Sequence, residues 1–426
     1  MKQIEIIGTD ETIYYENSLF NMPVYIWENN NLNGFYISLG VKYGSLHTNF
    51  SYKGKKYNVP LGIAHYMEHI KFNEKKNQTA HDYYDKLGSD INAFTTFEYT
   101  NYEVTAHDNY KDNLSHLIKY VLTPYFTKST ITKERGIISE EIKMDKDNPY
   151  AKLFYKSLEN LFINSHYKNR VSGEICDIKK IKLDEIKLIY EAFYHPENMF
   201  LIVCGNVNRY DTMQIVNDSL NKLKISKYVK PIINAPKEPF KVALKEEIYP
   251  DNVASPKAKI SLKIPLNKFK GIDKVTVMIY TRIVLNANFG NTSNFKEMLL
   301  ENKMINSFGF SRNLFDDYLI VTFTYESEVY KAVKDKIIEQ LKKLEIDSNY
   351  LKRFIKCSKA NAILEYENKE LVSGNIQNDL IFFDKIIDKE NDILDNIKID
   401  DLKKIAKILN TNNISTTIVI PKQSKD

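Results

Sequence analysis

The sequence predicts an α+β protein with two domains built on a similar plan. The chain has 426 residues, which is more than one ordinary hydrophobic core accommodates. Strand-like and helix-like segments recur irregularly in both halves. The halves are separated by a segment that contains three prolines and shows neither the helical nor the strand period of apolar residues. We therefore expect a first domain at residues 1–228, a linker at 229–240 and a second domain at 241–426.

Apolar periodicity supports each of these parts in order. Residues 35–43 and 102–106 alternate like half-buried strands,. The linker is marked by Pro231, Pro236 and Pro239. After it, residues 258–264 alternate as a strand, and residues 333–344 place Val, Ile and Leu at helical spacing,. The second half thus repeats the pattern of the first, which indicates a duplication of fold rather than of motif.

Composition excludes several classes of protein. A hydrophobic content of 43% and a charged content of 27% are those of a globular domain,. The net charge of +5 is too small to indicate a nucleic-acid partner,. No apolar run reaches the roughly 18 residues that span a bilayer, and the N-terminus does not read as a signal peptide. Three distant cysteines, Cys176, Cys204 and Cys357, fit a reducing compartment,. We expect a cytoplasmic protein without membrane insertion.

The most informative motif is His65-Tyr66-Met67-Glu68-His69. Residues three and four apart share one helix face, so His65, Glu68 and His69 point the same way. Two such imidazoles can hold one Zn²⁺, and a carboxylate beside them can hold a water. An apolar stripe supports the helix: Ile63, Met67 and Ile70. The motif is the inverted form of the HExxH zinc signature. The alternative is a pair of surface histidines on an amphipathic helix.

A zinc site needs a third protein ligand, which is usually distant in sequence. Residues 133–144 supply two candidates, Glu134 and Glu141, two turns apart on one side of a predicted helix,. The helix is indicated by its apolar residues, which are Ile137, Ile138, Ile142 and Met144. Glu140 is adjacent and is a possible alternative ligand. An acidic helix considered by itself is usually a solvated face.

With these residues the sequence resembles the inverzincin peptidases of family M16, the group of pitrilysin, insulysin and mitochondrial processing peptidase. The match is His65-x-x-Glu68-His69, followed by Glu134 and Glu141 with six residues between them. It covers about residues 20 to 420 and is dense in the first half. The resemblance implies two domains of mixed helices and mainly antiparallel sheet, of the LuxS/MPP-like metallohydrolase type. It points to the bacterial members with a single pair of domains.

The resemblance also implies a role for each residue. His65, His69 and Glu141, rather than Glu140, would bind one Zn²⁺ per chain. Glu68 would be the catalytic residue that moves a proton from water to the leaving amine. Glu134 would orient a ligand from behind, the alternative being an ordinary exposed glutamate. We therefore expect a zinc-dependent endopeptidase that cleaves short or extended peptides, such as leader or signalling peptides.

Residues 88–95 predict the substrate-binding edge. In the resembled family the equivalent Asn-Ala lies on an edge strand beside the zinc, where an extended peptide pairs through its backbone. The resemblance thus implies substrate binding by Asn92, Ala93 and Phe94. An ordinary turn followed by a strand is the alternative.

The second half departs from the family pattern. All eight histidines lie in the first half, at or before His195. The family's second domain usually carries an Arg and a Tyr that hold substrate carbonyl oxygens. Residues 299–310 have no Arg before Phe308 and have Phe in place of the Tyr, while Arg312 is out of place. We therefore expect a heterodimer with a paralogous M16-type chain that lacks HxxEH, with a homodimer as the alternative.

Two other function classes remain open. The chain could be a non-catalytic or substrate-holding subunit of a heterodimeric peptidase, although such subunits typically lose the motif that is intact here. It could also catalyse a different zinc-dependent hydrolysis, to which no residue points.

Overall fold

The computed structural model describes residues 1–422, which fall into two compact units made of separate stretches of chain. Unit 1 consists of Met1–Lys143, Arg170–Ala235 and Asn361–Asp388. Unit 2 consists of Met144–Asn169, Pro236–Ala360 and the chain from Lys389 onward. The change at residue 235 lies inside the linker predicted at 229–240. The last four residues of the second domain predicted at 241–426 lie outside the described residues.

Helices and strands alternate irregularly, as the sequence predicts. Within residues 1–422 the strands are β1 (Lys2–Glu5), β2 (Thr12–Asn17), β3 (Pro23–Glu28), β4 (Phe35–Val41), β5 (Asn49–Tyr52), β6 (Lys55–Asn58), β7 (Asn73–Lys75), β8 (Gln78–Thr79), β9 (Asp90–Thr95), β10 (Thr100–Ala106), β11 (Met199–Gly205), β12 (Ile232–Ile233), β13 (Glu246–Asp251), β14 (Lys257–Pro265), β15 (Ser307–Phe315), β16 (Tyr318–Glu326) and β17 (Ile414–Pro421). The α-helices are α1 (Ile63–Lys71), α2 (Ala80–Leu87), α3 (Tyr110–Val121), α4 (Lys128–Asp147), α5 (Pro149–Leu161), α6 (Ile175–Ile178), α7 (Leu183–Phe193), α8 (Arg209–Asn221), α9 (Lys274–Phe289), α10 (Asn294–Glu301), α11 (Tyr330–Leu341), α12 (Ser348–Glu365), α13 (Lys369–Phe382), α14 (Glu390–Asp395) and α15 (Ile399–Leu409). Short 3₁₀ helices occur at Leu19–Asn21, His166–Lys168, Pro196–Asn198 and Leu266–Lys268.

The main sheets of the two units share one topology. In unit 1 the strand order is β1-β2-β3-β11-β4-β10-β9, and in unit 2 it is β13-β17-β14-β16-β15. The pairs β3–β11 and β13–β17 are parallel, and the other pairs of these sheets are antiparallel. The shared part is a set of five strands, β3-β11-β4-β10-β9 in unit 1 and β13-β17-β14-β16-β15 in unit 2. In each set the last strand of the sequence lies between the first and the second, and the third strand forms an edge. The predicted fold class and its duplication are confirmed.

Strand β4 is buried along its whole length, and so is β11. The prediction of a half-buried strand at residues 35–43 was wrong, because helices cover both faces of this sheet. One face packs on the large core that includes α1, α3 and α7. On the other face, Trp27 and Phe200 pack with Val372 and Ile376 of α13. A late segment of the chain thus completes the burial of an early sheet.

The helix that covers the second face comes in each unit from the other half of the sequence. In unit 1, α13 packs on β11 and β4, where Gln377 Nε2 donates to Ser38 Oγ at 2.9 Å. In unit 2, α5 packs on β17 and β14, where Asn160 Nδ2 donates to Thr417 Oγ1 at 2.9 Å. Because β11 and β17 are equivalent strands, α13 and α5 are equivalent helices that the two halves exchange. A helix long and apolar enough to cross a bilayer does not occur in residues 1–422.

Candidate metal centre

Helix α1 begins at a glycine whose conformation and surroundings exclude other residues. Gly62 has φ +81, in the left-handed region that glycine favours,. A Cβ at this position would lie 2.3 Å from the carbonyl oxygen of Ser172. The apolar residues of α1 then enter the core of unit 1, which leaves the side chains of His65 and His69 12% and 22% exposed. The glycine before the motif thus fixes where the histidines emerge.

The motif residues converge as the helical spacing predicts. One potential ligand atom from each of His65, Glu68 and His69 lies within 4.8 Å of the others. The centroids of the two imidazoles are 4.7 Å apart. Glu68 is buried, and its Oε2 accepts a hydrogen bond of 2.5 Å from the hydroxyl of Thr95 on β9. The carboxylate of Glu68 is therefore oriented by the neighbouring sheet.

Helix α4 brings two glutamates to the histidines. Glu141 Oε1 lies 3.4 Å from His65 Nε2, and Glu141 Oε2 lies 3.3 Å from His69 Nε2. Glu134 is buried, with Oε2 3.6 Å from His69 Nδ1. Glu140 instead pairs with Lys143 at 2.7 Å, and its side chain is 69% exposed. The structure thus places Glu141 at the histidines and Glu140 in solvent.

Only part of the apolar pattern that predicted α4 faces the core. Ile138 and Ile142 are buried and anchor the helix. Ile137 is 47% exposed and Met144 is 74% exposed. The two turns between Glu134 and Glu141 are therefore anchored by buried isoleucines, of which Ile138 lies four residues after Glu134 and three before Glu141.

The charges of the cluster are strongly coupled. Hydrogen bonds to His65 and then to His69 hold the pKa of Glu141 far below its ordinary value. Burial lowers the pKa of His69, but its hydrogen bonds to Glu134 and Glu141 outweigh burial and raise that pKa to about 9. Burial by itself raises the pKa of Glu134, but the interactions of its carboxylate with His69 and Asn73 outweigh burial, so that the pKa lies below its ordinary value. Two imidazoles thus lie among three carboxylates, which favours a bound cation.

The donor set fits zinc. A tetrahedral zinc ion with bonds of about 2.0–2.1 Å has ligand atoms about 3.3–3.4 Å apart. The distances from Glu141 to the two Nε2 atoms are 3.4 and 3.3 Å. Imidazole nitrogen and carboxylate oxygen are both ordinary zinc donors. Each oxygen of Glu141 is therefore spaced from one imidazole nitrogen as two ligands of a single small cation would be, Oε1 from His65 and Oε2 from His69.

A cavity of about 300 Å³ adjoins the cluster. Its walls include Glu68, His69 and Glu134, together with Asn92 and Ala93 of the edge strand β9. Ala93 N donates to Asn92 Oδ1 at 2.9 Å. Phe94 does not line the cavity, since its ring packs against Tyr99 with centroids 5.8 Å apart. Two of the three residues predicted to bind substrate thus lie beside the motif.

Sequence reasoning missed two neighbours of the cluster. Thr95 could have been found, because it follows Ala93 by two positions on a strand and so shares its face. Asn73, which donates to Glu134 Oε1 at 3.2 Å, carried no signal. It lies on the short strand β7, whose pairing with β8 has no apolar period.

In unit 2, Arg312 donates to the carbonyl oxygen of Met278 on α9.

Comparisons with known proteins place the chain in a family. Residues 27–174 match the family described as Insulinase (Peptidase family M16), and residues 180–351 match the Peptidase M16 inactive domain. An uncharacterized zinc protease of Bacillus subtilis (strain 168), YmfH, is 34% identical over 311 residues, which are 71% of each protein. The chain belongs to peptidase family M16. Zinc protease PqqE of Helicobacter pylori is 25% identical to this M16 chain over 408 residues, which are 90% of the chain and 89% of PqqE.

Solved structures share the fold of this M16 chain. An M16-like peptidase from Alicyclobacillus acidocaldarius has a TM-score of 0.89 at 19% identity and covers 97% of this chain and 99% of its own. Pitrilysin has a TM-score of 0.79 at 14% identity, and the match covers 100% of this chain but 46% of pitrilysin. At these identities the likeness concerns the fold, and it agrees with the two-domain M16 architecture predicted from the sequence.

Proposed function

We propose that this chain is a zinc-dependent endopeptidase that cleaves short or extended peptides by activating water. The observation that carries the proposal is the convergence of His65, His69 and Glu141, with the carboxylate of Glu68 beside them. Relatives named as zinc proteases support it. We further propose a cytoplasmic location, on the grounds of composition given above.

In this proposal His65, His69 and Glu141 hold one Zn²⁺ per chain. The bound ion would supply Lewis-acid chemistry, which makes water nucleophilic near neutral pH and polarises a peptide carbonyl. Glu134 acts behind His69: its Oε2 faces Nδ1, so that Nδ1 carries the proton and Nε2 is left to bind. Such outer partners fix the ring orientation of a ligand and raise its basicity.

Glu68 acts as general base and then as general acid. The hydroxyl of Thr95 holds Oε2, and we assign the proton transfer to Oε1. Glu68 takes a proton from the attacking water and passes it to the leaving amine nitrogen. Because both transfers use one oxygen on a buried side chain, the carboxylate needs to rotate little between them.

We propose that the peptide binds as an added strand on β9. This strand is the edge of the sheet in unit 1 and carries Asn92 and Ala93 into the cavity beside Glu68. An incoming backbone carbonyl would replace Asn92 Oδ1 as the acceptor of the Ala93 N–H. Phe94 would contribute its backbone rather than its side chain. Main-chain pairing of this kind gives affinity with little sequence preference.

Metal content tests the ligand set. We expect one zinc per chain in the wild type and loss of zinc in the double variant His65→Ala, His69→Ala. Glu141→Gln should weaken zinc binding, because an amide oxygen is a much poorer ligand than a carboxylate. Glu140→Gln is the matched control, since Glu140 is adjacent but paired with Lys143. The zinc bound per chain is measured by elemental analysis after dialysis against a weak chelator. Equal zinc retention in the two single variants would contradict the assignment of Glu141.

A second candidate function is that of one subunit of a heterodimeric peptidase. The second half of the sequence is favoured as the deficient part, because residues 180–351 match an inactive domain and the sequence has no histidine after His195. Arg312, the arginine nearest the expected position, is engaged with α9. We propose that a paralogous M16-type chain without HxxEH completes the site, with a homodimer as the alternative. A solely substrate-holding role would require Glu68→Gln to leave activity of the pair unchanged.

A further inference from the structure

Asn73 lies immediately after the metal-site helix, outside the HxxEH motif. It is the first residue of β7, and it is buried. Its side-chain Nδ2 donates to the carbonyl oxygen of Ile70 at 3.3 Å and to Glu134 Oε1 at 3.2 Å. The bond to Ile70 caps the last turn of α1. It thereby fixes the orientation of the Asn73 amide that donates to Glu134.

Glu134 is held between this amide and a histidine. Oε1 accepts from Asn73, and Oε2 lies 3.6 Å from His69 Nδ1. The side chain of Glu134 is only 7% exposed, so loss of the Asn73 bond would leave a buried oxygen without a donor. The carboxylate would then turn to find another partner and move away from His69.

The strand that carries Asn73 is itself fixed to the core. The next residue, Glu74, has Oε1 2.8 Å from His116 Nε2 on α3. The imidazole of His116 stacks on Tyr83 of α2, with ring centroids 3.5 Å apart. The residue that follows Asn73 therefore contacts α3 directly, and it reaches α2 only through the stacked imidazole of His116.

We propose that Asn73 is a positioning residue that holds Glu134 on His69 and so aims His69 Nε2 at the metal. The inference rests on the proposed function, because it supposes that His69 ligates zinc. It concerns His69 and not His65: the buried Nδ1 of His65 has no hydrogen-bond partner among residues 1–422. Asn73 should therefore affect one imidazole of the pair.

A double-mutant cycle on zinc affinity tests the inference. The full chain and its Asn73→Leu, Asn73→Ser and Glu134→Gln variants are stripped of metal and titrated with zinc against a chromophoric chelator. Outer partners of ligands are typically worth about 10–100-fold in affinity. Because Asn73 acts through Glu134 and not on a ligand directly, we expect a loss at the lower end of this range, about 10-fold, for each Asn73 variant. In the Glu134→Gln background the same Asn73 changes should cost less than about 2-fold, because Asn73 acts through Glu134.

The nitrogen-15 shifts of the two imidazoles provide the second readout. In the zinc-loaded Asn73→Ser protein, the His69 Nδ1 shift should move because its contact with the Glu134 carboxylate weakens, while the His65 shifts should stay. Asn113→Ser is the matched control, since Asn113 is a buried asparagine of unit 1 that donates to two backbone carbonyls. It should lower stability without changing zinc affinity.

The outcomes separate the inference from the proposed function. A wild-type chain that binds no zinc would overturn both. A wild type that binds zinc, with Asn73 variants that bind it equally well, would overturn the inference alone. Equal losses in the wild-type and Glu134→Gln backgrounds, or a shift at His65 as large as that at His69, would mean that Asn73 only stabilises the fold.

Discussion

Glu68 differs from the other two glutamates of the cluster because its carboxylate accepts a hydrogen bond from a hydroxyl, whereas theirs face imidazoles. Glu134 and Glu141 both face histidine nitrogens, and their pKa values are lowered by those contacts. Glu68 Oε2 meets Thr95 instead. Under the proposed function, Glu141 would ligate the metal, Glu134 would orient His69 from behind, and Glu68, held by the neighbouring strand, would transfer protons.

The change Glu68→Gln should leave zinc in place and remove most peptide hydrolysis. The amide preserves the shape of the side chain and can accept a hydrogen bond from Thr95, but it cannot take a proton. A general base typically contributes about 10²–10⁴-fold, so the turnover number should fall by that factor. The measurement is cleavage of a fluorogenic peptide library at matched zinc content, with Glu140→Gln as the control that retains activity. Near-wild-type turnover in Glu68→Gln would contradict the assignment.

Residue spacing was enough to predict that the three motif residues on α1 come together. A step of three and four along a helix fixes the relation of His65, Glu68 and His69 whatever surrounds them. The contact of Glu141 with both histidines depends on how α4 packs on α1. Here the resemblance to a family, rather than spacing, distinguished Glu141 from Glu140. Asn73 was not predictable, because its role depends on a turn that brings a residue after α1 back to Glu134.

Helix α1 is positioned by what precedes it. Gly62 combines a left-handed φ with close contact to the backbone at Ser172, and the same contact holds Gly173, at φ +70, from the other side. Neither requirement is visible in a local sequence pattern. The sequence marks Gly62 only as a helix breaker, whereas the structure makes it the point where α1 packs on a segment more than 100 residues later.

Gly62→Ala should destabilise unit 1 and weaken zinc binding. A left-handed φ costs a non-glycine residue about 1 kcal/mol, and the contact with Ser172 O forces a backbone shift in addition. Gly54→Ala is the matched control, since Gly54 has φ +77 but open space around its missing Cβ. We expect the loss in free energy of unfolding to be at least about 1 kcal/mol larger for Gly62→Ala. The fluorescence of Trp27, the one tryptophan of the chain, reports urea unfolding of unit 1. Equal losses in the two variants would show that the contact carries no strain.

The strand segments were predicted more successfully than their burial. Alternation at residues 35–43 indicated a strand, and β4 is there. Its second face is covered by α13, which lies more than 300 residues later. Periodicity measures what a segment itself contains, so it could not show that Ser38 and Tyr36 would be buried by a distant helix.

The exchange of α5 and α13 makes each unit depend on both halves of the sequence. Cleavage of the chain in the linker would separate β4 and β11 from α13 and expose one face of the sheet in unit 1. That face includes Trp27, Phe200 and Cys204, each fully or almost fully buried in the intact chain. The two halves are therefore duplicated in fold without being independent in folding.

Thiol reactivity measures this dependence. In the full chain Cys176 and Cys357 are exposed, whereas Cys204 is buried and its burial raises its pKa. We expect two thiols to react rapidly with a thiol reagent and Cys204 to react only as the protein unfolds. In a fragment of residues 1–240, Cys204 should react about as fast as Cys176, and addition of residues 241–426 should restore its protection. Mass spectrometry identifies the labelled cysteine. A fragment that keeps Cys204 protected would show that α13 is dispensable.

Assembly is the level at which this chain departs most from a self-sufficient peptidase. Its HxxEH motif is intact, but residues 299–310 carry no Arg before Phe308, and Arg312 is bonded to α9. We therefore expect the purified chain to bind zinc yet cleave peptides slowly. Addition of a paralogous M16-type chain without HxxEH should raise the turnover number about 10²–10³-fold, the contribution that one hydrogen-bond donor aimed at a developing oxyanion typically makes. Light scattering during the assay distinguishes the heterodimer from a homodimer, whose activity would rise with the concentration of this chain alone.

Two variants of this chain test where the added activity arises. When the partner is added, neither Glu68→Gln nor the double variant His65→Ala, His69→Ala should show an increase in turnover number. Full activity from a solution in which this chain is monomeric would exclude both assemblies.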